Sequence, residues 1–203
     1  MDYEYDIFLS YSRKHPHGQW VNDVLYPLLI PYVEDALNRK IHVFKDDSEI
    51  LSGADWERTI LSSLLKSRIM VSVLSPSYFM SDWCMKEFQV MHYRQIQLGY
   101  MTSSNPSGLI VPITINDGNY FPECVKSIQI LDCKNYFRIG VGFMATQRFV
   151  ELQDKLIRWA DDVAHAISIS PGWSADWANE DWINNSMNTI DLSTSKPIIH
   201  PLL

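Results

Sequence analysis

The chain lacks any apolar run approaching the roughly 20 residues needed to cross a bilayer, and its opening MDYEYD is acidic where a secretory leader would be basic. A cytosolic chain with no membrane partner is the expectation. Cysteine is scarce. Cys84, Cys124 and Cys133 are odd in number and none sits at CxxC spacing, which fits reduced thiols in a reducing compartment better than a disulfide framework or a zinc site. Basic excess is missing too: 17 Lys and Arg stand against 24 Asp and Glu, with a formal net charge of -7 and a pI near 5.3. That balance excludes a general nucleic-acid binder, because phosphate binding needs clustered cations. A small anionic ligand needs only a few local cations and stays open.

The familiar catalytic signatures are absent as well. There is no GxxxxGK[ST], no GxSxG and no HExxH, and Gly140-Val-Gly142 lacks the third glycine and the following helix of a dinucleotide fingerprint. His15-Pro-His17 has no Cys or carboxylate partner at ligand spacing, so it reads as a solvated loop, and neither metal nor cofactor is expected.

What is present is ordinary globular composition, 203 residues that are 46% hydrophobic, enough for one core. Tyr5 to Tyr11 reads as a buried strand. From Trp20 to Asn38 the apolar spacing is helical, with Pro27 and Pro31 placed to bend it. Ile41 to Phe44 is a second strand running into the polar loop KDDSEILSGADW, and Trp56 to Lys66 is a helix. Ile69 to Leu74 is apolar enough for a central parallel strand. Leu109 to Ile115 contains Pro112 and is expected at an edge or bulge, with Ile128 to Leu131 as a fifth strand. Thr146 to Ile167 is an amphipathic helix. Residues 1–169 then form one α/β domain, and 170–203 a tryptophan-rich extension with a short helix and a tail.

Alternating strands and helices predict a wound parallel sheet, which binds ligands at the carboxyl ends of its strands. Three lips should meet there. The first, Ser10-Tyr11-Ser12-Arg13, offers hydroxyls and a guanidinium suited to phosphate or ribose, or to capping the loop. The second runs from Asp46 to Trp56. The third holds Ser81 as a helix N-cap, then Trp83 and Glu87 one turn apart on one face. By spacing alone, Glu87 reads as a helix-surface charge.

Taken together, YDIFLSYSRK, VFKDDSEILSGADW and SRIMVSVLSPSYFMSDWCMKE resemble the three boxes of the Toll/interleukin-1 receptor (TIR) domain family, over about residues 4–168. The chain looks most like stand-alone bacterial antiphage-defence (Thoeris-like) members. The resemblance implies a flavodoxin-like sheet of five parallel strands flanked by helices. It implies cleavage of the nicotinamide–ribose bond of NAD+, by hydrolysis or by cyclisation to a nucleotide signal read by a downstream effector. A non-catalytic TIR interaction module is the alternative. By the same resemblance Glu87 falls on the catalytic acid, Trp56 on the aromatic near nicotinamide, Trp83 on the tryptophan preceding the acid, Asp46 on the acid after the second strand, and Tyr11, Ser12 and Arg13 on the first-box loop. Self-association through the second-box loop is implied too, with NAD+ as substrate and no cofactor.

Overall fold

The segment YDIFLSY forms β1 (Tyr5–Tyr11), buried along almost its whole length. In a computed structural model that describes residues 2–45, 56–119 and 121–188, β1 pairs in parallel with β2 (Val43–Lys45) on one side and β3 (Ser67–Leu74) on the other. β4 (Ile110–Thr114) and β5 (Leu131–Asp132) complete the order β2-β1-β3-β4-β5. This is the flavodoxin-like order, with its reversal of direction beside β1.

The predicted first helix exists, and the proline leaves a specific mark on it. α1 (His17–Trp20) widens into a π turn over Val21–Leu25 before α2 (Tyr26–Leu37). Pro27 has no N–H to donate to Asp23, so the hydrogen-bond spacing loosens just before it. α2 ends on Asn38 in the left-handed region at φ 51°, where the Arg39 N–H returns to the Glu34 carbonyl. α3 (Trp56–Leu65), α4 (Pro76–Phe79) and α5 (Asp82–Gln97) follow, and α3 and α5 pack against β1 and β3. Because β1 to β2 and β2 to β3 step in opposite directions, right-handed crossovers put α2 on the sheet face opposite α3 and α5. α6 (Glu123–Lys126) and α7 (Val141–Met144) are single turns, and α8 (Gln147–Ser168) covers β3, β4 and α2.

Two strand expectations are corrected. β4 is not an edge strand: β3 and β5 flank it. Leu109 and Ile115 bond toward β3 whereas the Thr114 carbonyl accepts the Cys133 N–H, so Pro112, in phase with Thr114, turns its missing N–H toward β5. Pairing on that flank starts only at Ile113 with Leu131. The same proline accounts for the second correction. With no donor at Pro112, residues 128–130 gain little by pairing, and β5 shrinks to Leu131–Asp132.

Past α8, a 3-10 turn at Ala175–Ala178 lies against α3, and α9 (Glu180–Asn188) lies against α5. The tryptophans make the contact. The Trp173 indole donates to the Leu65 carbonyl at 3.2 Å, Trp182 meets Tyr93 edge-on, and Trp177 is buried under Arg94. Among the described residues, no helix is long and apolar enough to cross a membrane.

Candidate functional site

At the carboxyl ends of β1 and β3, the chain encloses a cleft of about 280 Å³. The strand-end rule places it there, and local sequence shapes its walls. Ser75 and Ser81 cap α4 and α5 in turn, their hydroxyls accepting the N–H groups of Tyr78 and Cys84. Ser81 thereby fixes the start of α5, and Trp83 and Glu87, one turn apart, face the cleft together. Across from them lie Tyr11, Ser12 and Arg13, and α3 brings Trp56 to the rim. Trp56 is 45% exposed and rests on Trp83, ring centroids 4.9 Å apart at 55°, making an aromatic corner beside the carboxylate.

Glu87 is not a surface charge. It is 6% exposed, and its Oε2 accepts a 2.5 Å hydrogen bond from Ser10. Burial pushes its pKa up to about 7, against the partial pull of the Ser10 hydroxyl, the Arg13 guanidinium and the Trp83 indole N–H. The indole acts through its dipole, since Trp83 Nε1 is buried without a partner of regular hydrogen-bond geometry. Cys84 also lines the cleft, but burial first and the Glu87 charge second push its thiol up to about 12. At neutral pH it is a protonated thiol that donates weakly to the Tyr11 carbonyl, not a nucleophile.

The loop that carries Arg13 depends on Gly18. A Cβ there would lie 2.7 Å from the Arg13 carbonyl oxygen, a backbone atom with little room to retreat. Only glycine lets the start of α1 come so close to residues 12–14.

Of the residues singled out in the sequence, Tyr11, Ser12, Arg13, Trp56, Trp83 and Glu87 share this cleft. Asp46 and the rest of the loop 46–55 lie outside the described residues. His17 corrects one expectation: it is half-buried and stacked on Phe137 at 5.4 Å, not solvated, because the turn into α1 folds its ring inward. Sequence reasoning missed the partners of Glu87. Ser10 stood in the first lip without an assigned acceptor, and Tyr78, whose hydroxyl lies 2.9 Å from Ser10, was not considered. Larger hollows, of about 650 Å³ between α3, α5 and α9 and about 670 Å³ beside β4 and α8, expose the acids that line them, whereas the Glu87 carboxylate is buried.

A family model for the TIR domain matches residues 7–141. Among curated proteins, the Single Ig IL-1-related receptors of Homo sapiens and Mus musculus are 29% and 28% identical over 94 residues, which is 46% of this chain. That stretch spans only 22% of the length of either receptor. Among solved structures, the TIR domain of the Toll-related receptor TRR-2 from Hydra magnipapillata aligns with a TM-score of 0.45 at 20% identity, over 76% of this chain and 98% of that one. The TIR domains of the activated Roq1 resistosome that recognizes the effector XopQ align with a TM-score of 0.40 at 20% identity, over 90% and 96%.

Proposed function

Because the chain belongs to the TIR domain family, we propose that it cleaves the bond between nicotinamide and ribose in NAD+, with Glu87 as the catalytic carboxylate. The observation that carries this reading is a buried acid titrating at about 7, in the wall of a cleft whose rim is a pair of tryptophans. Nicotinamide is bound as a pyridinium cation and leaves with the bonding electron pair as a neutral molecule. The ribose left behind takes on oxocarbenium character. A carboxylate at Glu87 stabilises that charge and holds the ribose hydroxyls, the exposed face of Trp56 receives the pyridinium, and Arg13 offers a cation to the diphosphate. Water attacking the anomeric carbon gives ADP-ribose and a proton; attack by the adenine or a ribose hydroxyl of the same molecule gives a cyclic product. The sequence resemblance to bacterial antiphage-defence members supports cytoplasmic signalling through such a product to a downstream effector.

Purified protein, dilute and concentrated, is incubated with NAD+ and the products are resolved by mass. Nicotinamide release is expected, and Glu87→Ala and Glu87→Gln are expected to reduce it by about 10²-fold or more, the scale of removing a charge-stabilising group. Equal turnover in wild type and both variants removes Glu87 from the chemistry. Since the ionised form is the one that stabilises the cation, turnover should rise with pH through about 7.

A second reading, a module that binds other TIR domains, is favoured by apolar exposure at Val141 (85%), with Met144 and Val150 also exposed. The loop expected from the sequence to mediate such contacts lies in 46–55, outside the described residues. Light scattering of wild type against Val141→Asp separates assembly from catalysis. Loss of assembly with turnover kept makes the two functions independent.

A further inference from the structure

Glu87 does not stand alone in its wall. The Ser10 hydroxyl bonds both Glu87 Oε2, at 2.5 Å, and the Tyr78 hydroxyl, at 2.9 Å, and all three residues are buried. They come from distant parts of the chain: Ser10 from β1, Tyr78 from α4 and Glu87 from α5. We propose that Ser10 and Tyr78 are positioning residues for Glu87, a directed hydrogen-bond chain that holds Oε2 in the wall and leaves Oε1 to the cleft.

The direction follows from proton counting. An ionised carboxylate only accepts, so the single Ser10 proton goes to Glu87. Ser10 must then accept from Tyr78, whose proton is the only one left for that contact. Among the described residues no other hydrogen bond of regular geometry reaches the carboxylate, although the Trp83 indole N–H lies near enough to favour its charge, so Oε1 is the oxygen left to a ligand. If a protonated Glu87 donated to Ser10 instead, three protons would share two contacts, and either the Ser10 or the Tyr78 hydroxyl would be left without an acceptor in this hydrogen-bond chain. A carboxyl protonated on Oε1 would keep the direction but accept more weakly than the carboxylate. The chain therefore favours the ionised form and works against burial. Without it, burial would push the acid's pKa higher still. Other groups facing the carboxylate are Arg13 and Lys14 from the loop after β1, Tyr11 at the end of β1 and Cys84 on α5 itself, while α3 presents the uncharged Trp56. Of these, Arg13 favours the carboxylate, and Tyr78 and Cys84 are neutral at physiological pH because burial raises both.

The catalytic consequence rests on the reading of Glu87 given above; the chain itself does not. The test is a ¹³C NMR pH titration of the glutamate carboxyl carbons, with the Glu87 signal assigned by its loss in Glu87→Gln, run beside the pH profile of nicotinamide release. Ser10→Ala is expected to move the Glu87 midpoint up by about one pH unit, and Tyr78→Phe by about half as much through Ser10. The rising limb of kcat should move with it while KM changes little. Thermal melts check the fold, and Tyr78→Phe, which keeps the ring, decides the matter if Ser10→Ala does not fold. A midpoint unchanged from wild type in the folded variants overturns the proposal. If the midpoints move but wild type releases no nicotinamide at any pH, the chain stands and the enzymatic reading falls.

Discussion

The burial of Glu87 costs the fold something. Its pKa of about 7 in the folded chain lies above the ordinary 4.5. Below pH 4.5 the acid is protonated in both folded and unfolded states and contributes nothing. Between 4.5 and 7 the unfolded chain ionises first, so stability falls as pH rises, and above 7 the loss levels off at about 3 kcal/mol. Glu87→Gln, which keeps the shape and stays neutral, should therefore melt above wild type at pH 8, with the gap closing toward pH 4.5. A gap equal at both pH values would mean the carboxylate is not held in the way its burial requires. Tyr78 and Ser10 show why this site was only half legible in the sequence. Spacing of four residues put Trp83 and Glu87 on one face, but contacts spanning 68 and 77 residues leave no periodic trace. Alternation along β1 says that Ser10 and Tyr11 point to opposite faces, not which helix covers each.

At the scale of elements, the proline-bearing segments were read correctly as perturbed and incorrectly in detail. Pro27 produces a π turn, a local answer to one missing donor, and it leaves α2 running on to Leu37. Pro112 shortens its neighbour β5, leaving β4 inside the sheet, which required knowing the direction of each carbonyl. The strands whose apolar character is strongest, β1 and β3, were legible almost to the residue because burial on both faces leaves little alternative. Gly18 belongs to this scale as well, because it sets how closely α1 approaches the end of β1. Gly18→Ala forces its new Cβ against the Arg13 carbonyl, and overpacking of this kind costs about 1–3 kcal/mol. The loop should yield before the core does. The expected outcome is a modest drop in melting temperature with a larger rise in the Kd for NAD+, measured by calorimetry on the Glu87→Gln background so that turnover does not intervene. An unchanged Kd would remove the Arg13 loop from the ligand's path.

Across the whole molecule, the two ends of the described chain meet over one buried cation. Arg94, on the helix that carries Glu87, is 0% exposed and has no carboxylate partner among the described residues. Its guanidinium donates to the Ser67 carbonyl at 2.8 Å and the Tyr3 hydroxyl at 2.6 Å, and lies 4.0 Å from the centroid of the Trp177 ring. Burial pulls its pKa down to about 10, which still leaves it charged at neutral pH, so the aromatic faces and carbonyls must replace the water it gave up. Trp177 thus does for the far end of α5 what Ser81 does for its start, and the tryptophan-rich segment is a structural part of that helix's support. Trp177→Ala removes the cover and leaves a cavity, with an expected loss of about 3 kcal/mol or more. Trp182→Ala, at a half-buried ring on α9, should cost clearly less. Thermal melts of both variants, with nicotinamide release measured well below each melting point, separate support of the fold from support of the site. If Trp177→Ala melts like wild type, the segment is an ornament on α5; if it melts early while turnover per folded molecule is kept, its role ends at holding the helix in place.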